Sequence, residues 1–564
     1  MTLIKVDMFK GRAPKIASRL LPEGMGTVVT NCRLDTGDIE PIHTKGADIK
    51  AGNSSWSGPV QTVYKYDVDA NGDAIWFRWN QGVDVVRSPV AGNTNNRVYY
   101  TGHETSAGDM RPRVTNYMNA LSGGVEPYPD VNGYRLGVPA PSQAPSVAVV
   151  GDPPATPENE TSESRAYVYT FVTAFGEEGP PSMPSSIVNL YPVTQTTAVS
   201  GFDVAEPTIS GELGLGYNIT HKYIYRTVTT SGGTTEYQWV DSIPLAEATY
   251  PDSKLTLALG EVIPSTGWVA PPNNMKGLTS MSNGIMVAFL DNEVLFSEPF
   301  MPHAWPDKYR KSTDYPIVGV GTIGNTVVVT TEAYPYVASG AHPSNMVLNR
   351  LPENQACVSE RSIVNMGRYV MYASPDGLVA VSGNTVKLAT DPIMKRSQWQ
   401  ALKPETIHAY HYEGKYIAFY TVDGTQKCFS FDPEEGVYID IDGLTSVAGA
   451  YNDPEDDALY LIDTEGAISL FEGGAANTYT WVSKEYKLAS PLNMAAARIE
   501  AESYNDLVFK LYVDGELKHE ETVSSDFAFR LPSGYRSNQF QFEVSGTDIL
   551  QSVSVASSMG ELIG

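Results

Sequence analysis

The stretch of sequence that decides the fold is "GRYVMYASPDGLVAVSGN", residues 367–384. Two short apolar runs of alternating character flank a Ser-Pro-Asp-Gly sequence, and glycines stand near both ends. Alternating runs around such a turn are typical of a β-hairpin, and Asp-Gly suits the positive φ angles of tight hairpin turns. The stretch therefore predicts two antiparallel strands joined at Asp376-Gly377.

This strand–turn–strand pattern recurs along the chain. Five units lie in one block, and their starts are about 41 to 47 residues apart. A repeat near 40 residues is typical of β-propeller blades. The units are GIMVAFLDNEVLFSEP from residue 284, NTVVVTTEAYPYVASG from 325, RYVMYASPDGLVAVSG from 368, KYIAFYTVDGTQKCFSFD from 415 and DALYLIDTEGAISLFEGG from 457, with a sixth candidate, AIWFRWNQGVDVVRSP, from 74. We therefore predict an all-β protein with a propeller of about six blades.

A second domain interrupts the propeller between the candidate blade at 74 and the block that starts at 284. Segments rich in Pro, Ser or Gly, residues 137–164 and 268–277, bound the interruption as linkers. Between them AYVYTFVTAF (166–175), HKYIYRTVTT (221–230) and TEYQWVDSI (235–243) alternate with period two. This pattern predicts an inserted β-sandwich of the fibronectin or immunoglobulin type.

The predicted order of domains follows from these boundaries. Residues 1–136 hold N-terminal strands and the first blade, 137–270 the inserted sandwich, 271–480 the remaining blades and 481–564 a C-terminal β-sandwich. One short helix is predicted over 391–402, capped by Asp391.

Charge and cysteine content restrict the class of function. The formal net charge is −26, which argues against a surface that grips nucleic acid, since phosphate binding needs clustered Lys and Arg. The three isolated cysteines, Cys32, Cys357 and Cys428, fit neither a disulfide framework nor a CxxC site, so we expect buried reduced thiols. The N-terminal stretch lacks an apolar export signal, and no run approaches the roughly 20 apolar residues of a membrane span.

One acidic loop matches half of a calcium motif. Asp67, Asp69, Asn71 and Asp73, with a glycine at the bend, have the oxygen spacing of an EF-hand loop. The position five residues beyond Asp73 is Arg78 instead of a bidentate glutamate. The loop is therefore open to two interpretations, a calcium site or a polar hairpin turn.

No other motif indicates chemistry. G-x-S-x-G, HExxH and GxxxxGK[ST] are missing from the sequence, and no carboxylate pair for glycoside hydrolysis can be singled out. His408 and His411, three apart on a predicted strand, point to opposite faces and predict packing, not a shared metal ion. The acidic residues of 453–457 predict a solvated loop between blades. We predict no catalytic residue, cofactor or metal site.

Three stretches resemble bacteriophage tail proteins. Residues 9–42 have the Leu-Pro segment, Asn-containing strand and G-x-I-x-P turn, here Gly37, Ile39 and Pro41. Residues 292–306 resemble the phrase Ser-Glu-Pro … Ala-Trp-Pro of the same proteins. "FEVSGTDILQSVSVASSMGELI", near the C-terminus, is similar to their closing sandwich strand. Together these stretches resemble the tail nozzle proteins, or tail tubular protein B, of short-tailed phages.

This resemblance implies a structural virion protein and not an enzyme. It implies a propeller body assembled as a homohexamer below the head–tail adaptor, with genome DNA conducted through the lumen during ejection. The implied partners are further copies of the chain, the adaptor and portal-side rings, and tail fibres or a tail needle, without membrane insertion. The implied location is the phage tail, assembled in the bacterial cytoplasm. The alternative is a propeller glycan-binding module or depolymerase acting on host surface polysaccharide.

The resemblance also implies loops that face the channel. Residues 300–316, the long proline-rich connection between two blades, are the candidate. Their basic residues Lys308, Arg310 and Lys311 are expected to form a solvated or subunit-contacting face.

Overall fold

Strands account for nearly all regular structure in the part of the chain that the computed structural model describes. The described residues are 2–49, 59–68, 74–105, 108–120, 133–152, 155–156, 161–208, 215–229 and 235–562. Within them two short α-helices occur, α1 (Tyr117–Ala120) and α2 (Arg396–Gln400). The predicted all-β class is confirmed.

The strands follow one another at short intervals along the whole described chain. The strands before the insert are β1 (Leu3–Val6), β2 (Lys10–Arg12), β3 (Met25–Thr30), β4 (Cys32–Arg33), β5 (Glu40–Pro41), β6 (Thr62–Val68), β7 (Ala74–Trp79), β8 (Asp84–Arg87), β9 (Val98–Thr101), β10 (Arg113–Thr115) and β11 (Tyr134–Arg135). Those of the insert are β12 (Ser146–Val149), β13 (Glu163–Arg165), β14 (Tyr167–Thr173), β15 (Val188–Leu190), β16 (Thr197–Ser200), β17 (Ile219–Thr229), β18 (Thr235–Pro244) and β19 (Thr249–Asp252).

The remaining strands complete the blades and the C-terminal sheets. Those of the blades are β20 (Lys276–Ser280), β21 (Met286–Leu290), β22 (Glu293–Phe296), β23 (Lys311–Ser312), β24 (Ile317–Ile323), β25 (Thr326–Thr331), β26 (Tyr336–Ser339), β27 (Val347–Arg350), β28 (Val364–Asn365), β29 (Val370–Ala373), β30 (Leu378–Ser382), β31 (Thr385–Leu388), β32 (His408–Tyr412), β33 (Lys415–Val422), β34 (Thr425–Asp432), β35 (Val437–Ile441), β36 (Val447–Asp453), β37 (Ala458–Asp463) and β38 (Ile468–Leu470). The last are β39 (Tyr479–Ser483), β40 (Tyr486–Leu492), β41 (Ala496–Ala501), β42 (Val508–Val513), β43 (Glu516–Thr522), β44 (Phe529–Arg530), β45 (Ser537–Gly546) and β46 (Leu550–Ala556).

Blade-like sheets form by pairing of consecutive strands. β8–β11, β20–β23, β24–β27 and β28–β31 each make a four-stranded sheet in chain order, and β32–β35 pair in the same sequential way. Four strands in meander order are the blade unit of a β-propeller. The predicted propeller class is confirmed at the level of these sheets, and the hairpin of the opening stretch is formed by β29 and β30.

The candidate hairpin at residue 74 is not formed. β7 pairs with the preceding β6, whereas β8 pairs with the following β9, so the two predicted arms belong to different sheets. The reason lies in Gln81, whose side-chain amide exchanges two hydrogen bonds of 2.8 Å with the backbone of Glu104. The connection is thereby fixed to the end of β9 instead of closing a turn.

The insert is a β-sandwich, as predicted. Its sheets are β14-β17-β18 and β12-β16-β19, with β13 and β15 as a separate pair. The core between the sheets contains Tyr169 and Ile224 from the first and Val199 from the second, all fully buried. Alternate positions of these strands therefore face one apolar layer.

The C-terminal sandwich includes strands from the other end of the chain. One sheet has the order β1-β46-β41-β44, and the other continues from β35 through β3 and β39 to β45, β42 and β43. Ile4 and Val6 of β1 pack in the same core as Phe542 and Val544 of β45. The sandwich thus joins residues that lie more than 500 positions apart.

The division into compact units differs from the four consecutive domains of the sequence-based prediction. One unit, here the first unit, is Met1–Asn80, Thr330–Val337 and Arg350–Gly564, and the second unit is Gln81–Val329 and Ala338–Asn349. Because β1 and β3 pair with C-terminal strands, residues 3–30 belong with the C-terminal sandwich.

The predicted helix is shorter than expected and has another cap. Helix α2 spans Arg396–Gln400, and its N-cap is Lys395, whose N–H donates to the Gln398 side chain at 2.9 Å. Asp391 instead lies 3.0 Å from the Lys15 ammonium. Trp399 of the helix is fully buried and donates its indole N–H to the carbonyl of Ser374 at 2.7 Å.

Candidate functional site

The stretch from the end of β22 to the first residue of β23, residues 297–311, is the candidate site because it carries both the phrase that resembles phage tail proteins and the basic cluster. It is called here the 297–311 segment. It starts at Ser297, which is fully buried. The Ser297 hydroxyl accepts the backbone N–H of Met286 at 2.9 Å and donates to the Glu298 carbonyl at 3.0 Å. The segment is therefore anchored at its first residue to the neighbouring strand β21.

Trp305 anchors the middle of the segment. Its side chain is 2% exposed and packs in the core of the β8–β11 and β20–β23 sheets. The indole N–H donates to the Pro302 carbonyl at 2.7 Å, and the backbone N–H donates to Val269 at 2.8 Å. Val269 belongs to the predicted linker that leaves the inserted sandwich, so the phrase holds that linker in place.

Tyr309, near the end of the segment, contacts Glu298 near its start. Tyr309 is almost fully buried and its ring meets His342 edge-on at 5.8 Å. Burial, together with its hydrogen bond to the Glu298 carboxylate, raises the pKa of Tyr309 to about 12. His342 Nε2 lies 3.7 Å from the same carboxylate.

Two apolar side chains of the segment are exposed. Phe300 is 48% exposed and Met301 38% exposed. Phe300 has a φ of 58° and its ring lies over Gly284, where an added Cβ would be 2.3 Å from the ring. The half-exposed ring is thus held in a fixed position by a close approach that only glycine permits.

The basic cluster is occupied by local partners. Arg310 lies 2.5 Å from Asp307 and 3.3 Å from Glu293. The Lys308 ammonium stands 5.1 Å from the centroid of the Tyr309 ring. Arg310 and Lys308 therefore make contacts within their own blade, and the expected solvated or subunit-contacting face stays a prediction.

Beneath the segment lies a buried polar cluster that sequence reasoning missed. Arg97 and Glu177 form an ion pair of 2.7 Å and are both more than nine-tenths buried. Burial raises the pKa of Glu177, while Arg97 acts in the opposite direction. In the sequence, Glu177 stands in a turn rich in Gly and Pro that is typical of a solvated loop, and its partner is 80 residues away.

His303 faces this cluster. It is 4% exposed, and its ring meets Trp268 edge-on at 5.5 Å. Neither ring nitrogen has a well-aligned hydrogen-bond partner in the described structure. Burial and the nearby Arg97 lower the pKa of His303 to about 3, although the backbone of Glu178 favours the proton slightly. The imidazole is therefore neutral at physiological pH.

Glu178 completes the cluster with a different set of partners. One carboxylate oxygen accepts hydroxyl hydrogens from Thr170 at 2.9 Å, Tyr225 at 2.8 Å and Ser265 at 3.2 Å. Burial raises its pKa, and these three donors lower it. These hydrogen bonds connect strands β14 and β17 of the insert to Ser265, which lies after the last strand of the insert.

The predicted calcium loop is only partly visible. Asp67 lies in β6, while Asp69, Asn71 and Asp73 fall outside the described residues. Among the residues that the structure describes, no group of three or more His, Cys, Asp and Glu side chains is arranged to hold a metal ion.

The acidic loop 453–457 is not simply solvated, contrary to the prediction. Asp453 is 2% exposed and accepts the Lys65 ammonium at 2.6 Å, and Asp456 accepts the same ammonium. The lysine comes from β6, nearly 400 residues earlier, which explains why the pairing has no local signal.

The two histidines and the three cysteines singled out in the sequence are wholly or partly buried side chains. His408 is buried and stacks on Phe419 at 5.1 Å, and burial lowers its pKa to about 3. His411 lies three residues further along the same strand, and it is half-buried. The three cysteines are buried and unpaired, as expected, and burial raises the pKa of Cys357 to about 11.

In the described residues, no helix is long and apolar enough to cross a membrane.

No family model matches the chain, and no curated protein matches it. Among solved structures, the β-propeller domain of Cps50 (Swd1) from Myceliophteria thermophila has a TM-score of 0.24 and 9% identity, covering 44% of this chain and 91% of that one. The N-terminal domain of Nup159 has a TM-score of 0.24 and 10% identity, covering 57% and 86%. The acylaminoacyl peptidase of Pyrococcus horikoshii has a TM-score of 0.24 and 10% identity, covering 54% of each chain. The fold assignment accordingly rests on the strand pairing described above.

Proposed function

We propose that this chain is a structural subunit of the tail nozzle of a short-tailed bacteriophage. On this proposal, copies of the chain form a homohexameric ring below the head–tail adaptor. The ring conducts and gates genome DNA during ejection and offers an attachment surface for fibres or other tail parts. The protein works in the virion after assembly in the host cytoplasm, and it is not an enzyme.

The observation that carries the proposal is the position of the family-like residues. Asn31, Ile39, Ser297 and Trp305 are all at most 4% exposed. The Asn31 amide donates to the Thr478 carbonyl and accepts from the N–H of Asp442, so it joins two strand connections. Buried residues in such positions fix the connections between strands, and a rigid wall is what the proposed conduit requires.

Charge supports the same role. With a net charge of −26, the chain offers DNA little non-specific affinity, because binding to phosphates depends on clustered cations. Within the basic cluster of the 297–311 segment, Arg310 is paired with Asp307 and Glu293. A wall of this kind lets DNA slide without being held.

Electron microscopy of the purified chain, alone and mixed with the adaptor ring, tests the proposal. We expect sixfold ring views in the mixture and the same density below the adaptor in the virion. A chain that stays monomeric with the adaptor overturns the assignment. Release of oligosaccharides from host capsule or lipopolysaccharide by the purified chain would favour the depolymerase alternative instead.

A further inference from the structure

The inserted sandwich and the blades of the second unit have separate apolar cores. The core of the insert contains Tyr169 and Ile224, and the core of the β8–β11 and β20–β23 blades contains Met286. Phe175 of the insert packs against the blade core, where its ring meets Tyr134 edge-on at 5.9 Å. Bodies with separate cores move relative to each other once the contacts between them are lost. The contacts between insert and blades, called here the joint, therefore decide whether the insert is fixed.

Polar contacts add to the joint. The Arg135 N–H of β11 donates to the Gly216 carbonyl of the insert at 3.0 Å, and the guanidinium donates to the Tyr217 hydroxyl at 3.0 Å. Arg97 of the blades and Glu177 of the insert form their ion pair of 2.7 Å across the same boundary. A new charge beside such groups changes their energy more than it changes an apolar contact, so the joint is sensitive to protonation.

His303 lies inside the joint. It belongs to the 297–311 segment of the blades, and its ring meets Trp268 of the exit linker edge-on at 5.5 Å. Arg97 of the blades and the backbone of Glu178 of the insert are its electrostatic neighbours. The residue is 4% exposed, and neither ring nitrogen has a well-aligned hydrogen-bond partner among the described residues. A charged imidazole at this place would lose its hydration without gaining an acceptor of good geometry.

The carboxylates that face the joint are already engaged. Glu177 accepts from Arg97 at 2.7 Å and lies 3.5 Å from the Tyr99 hydroxyl, and Glu178 accepts three hydroxyl hydrogens. A proton on His303 therefore places a second positive charge close to Arg97, which disfavours the closed joint. Burial raises the pKa of both carboxylates, and their protonation acts in the opposite direction, because it favours the closed joint as the pH falls.

We propose that the joint is an acid-sensitive hinge, in which a proton bound by His303 opens the contact between insert and blades while both stay folded. Opening hydrates the imidazole and returns its pKa to the ordinary value of 6.5, whereas burial and Arg97 hold it at about 3 in the closed joint. His303 therefore favours the closed joint above pH 6.5, and this contribution is lost as the pH falls toward 3. Its effect on the ratio of closed to open molecules is up to about tenfold per pH unit in that range. The proposal does not depend on the tail role.

Hydrogen exchange of the full chain between pH 7 and pH 5 tests the proposal. Protection factors compare each rate with that of an unfolded amide at the same pH, so they report opening alone. The amides of Arg135 and Trp305 donate across the joint, to the carbonyls of Gly216 and Val269. We expect their protection to fall at least about fivefold from pH 7 to pH 5, while the amides of β17 keep theirs within about twofold. An equal fall in β17 would mean that the whole insert unfolds, and it would overturn the hinge.

A neutral substitution identifies the group that binds the proton. His303→Gln is expected to abolish the fall, so that protection of Arg135 and Trp305 at pH 5 equals or exceeds its value at pH 7. His221→Gln is the matched control, since this histidine is exposed on strand β17 of the same insert, and it should repeat the wild-type fall. A fall of wild-type size in His303→Gln overturns the proposal. If that variant does not fold, the wild-type chain still decides, because constant protection of Arg135 and Trp305 between pH 7 and pH 5 overturns the proposal as well.

Discussion

At five positions among the described residues, a buried serine hydroxyl accepts a strand N–H group that a backbone carbonyl would otherwise accept. In each case the hydroxyl accepts a strand N–H and donates to a nearby carbonyl, so that both of its hydrogen-bonding functions are used. The serines are Ser182, Ser185, Ser297, Ser362 and Ser483, paired with the N–H groups of Tyr169, Tyr167, Met286, Ala373 and Phe542. Each serine therefore allows the chain to leave the sheet while the buried N–H group of the neighbouring strand keeps a hydrogen-bond acceptor.

Ser362→Ala tests the energetic weight of one such hydroxyl. The Ser362 hydroxyl accepts the Ala373 N–H at 2.9 Å, and alanine leaves that buried donor without a partner. We expect the free energy of unfolding to fall by about 1–3 kcal/mol. Urea denaturation measures the change, and Ser312→Ala, at an exposed strand position, is the control with an expected change below about 0.5 kcal/mol.

His303 predicts a pH dependence of the second unit. Its folded pKa of about 3 lies below the ordinary histidine value of 6.5, so its contribution to stability is present above pH 6.5 and is lost as the pH falls toward 3. The raised pKa values of Glu177 and Glu178 act oppositely, because their contributions are present below pH 4.5 and are lost as the pH rises.

The His303→Gln variant separates the contribution of His303 to the pH dependence from those of Glu177 and Glu178. We expect the destabilisation of the wild-type chain between pH 6 and 4 to exceed that of the variant by up to about 1.4 kcal/mol per pH unit. Hydrogen exchange of residues 297–311 reads the effect locally. His43→Gln, at an exposed histidine, should keep the wild-type pH slope; equal slopes for His303→Gln and wild type would contradict the prediction.

At the scale of elements, the hairpins divide into two kinds of turn. Asp423-Gly424 joins β33 and β34 with positive φ at both residues, 50° and 77°, as expected of a tight Asp-Gly turn. The turn of the opening stretch is wider. Ser374 there donates its hydroxyl hydrogen to the Gly377 carbonyl at 3.0 Å, and its own carbonyl accepts the indole N–H of Trp399 from helix α2 at 2.7 Å.

Gly377→Ala is expected to damage that turn through lack of space. An added Cβ would lie 2.2 Å from the Thr390 hydroxyl oxygen, which itself accepts the Leu378 N–H at 3.0 Å. We expect a loss of about 1–3 kcal/mol in the free energy of unfolding. Thermal denaturation provides the measurement. Gly560→Ala, at a glycine with open space around its Cβ position, should change little.

Local signals explain why these elements were predictable and the polar cluster was not. Period-two alternation and turn dipeptides depend on residues a few positions apart, so the hairpins from 284, 368, 415 and 457 were correctly predicted. The Arg97–Glu177 pair depends on contact between segments 80 residues apart. No sequence pattern predicted that Phe300 is exposed, since the position of its ring depends on the space above Gly284.

At the scale of the whole molecule, the N-terminal strand contributes to a core formed mostly by the C-terminal third of the chain. Ile4 is 7% exposed and pairs with Val555, while its neighbour Leu3 is 48% exposed on the other face. Alternation alone predicts a strand here, but it cannot identify a partner more than 500 residues away. This is why the sequence-based boundary at 136 separated strands that share a sheet.

Ile4→Ala and Leu3→Ala form a matched pair for this junction. We expect Ile4→Ala, at the buried position, to lower the free energy of unfolding by about 2–4 kcal/mol. Leu3→Ala, at the exposed position, should lower it by less than about 1 kcal/mol. Hydrogen exchange over Val553–Ala556 reports the loss directly, because those residues pair with β1. Equal effects of the two changes would show that β1 does not hold the sandwich together.

The pairing of β1 with β46 also has a consequence for biosynthesis. The ribosome makes Leu3 more than 500 residues before its partner Ala556, so at about 5–20 residues per second β1 waits roughly half a minute to two minutes for its neighbour. During that interval Ile4 and Val6 have no native core to enter. The C-terminal sandwich therefore cannot close before β46 has been made, and a nascent chain cut short before β46 leaves the apolar residues of β1 exposed for chaperones to bind.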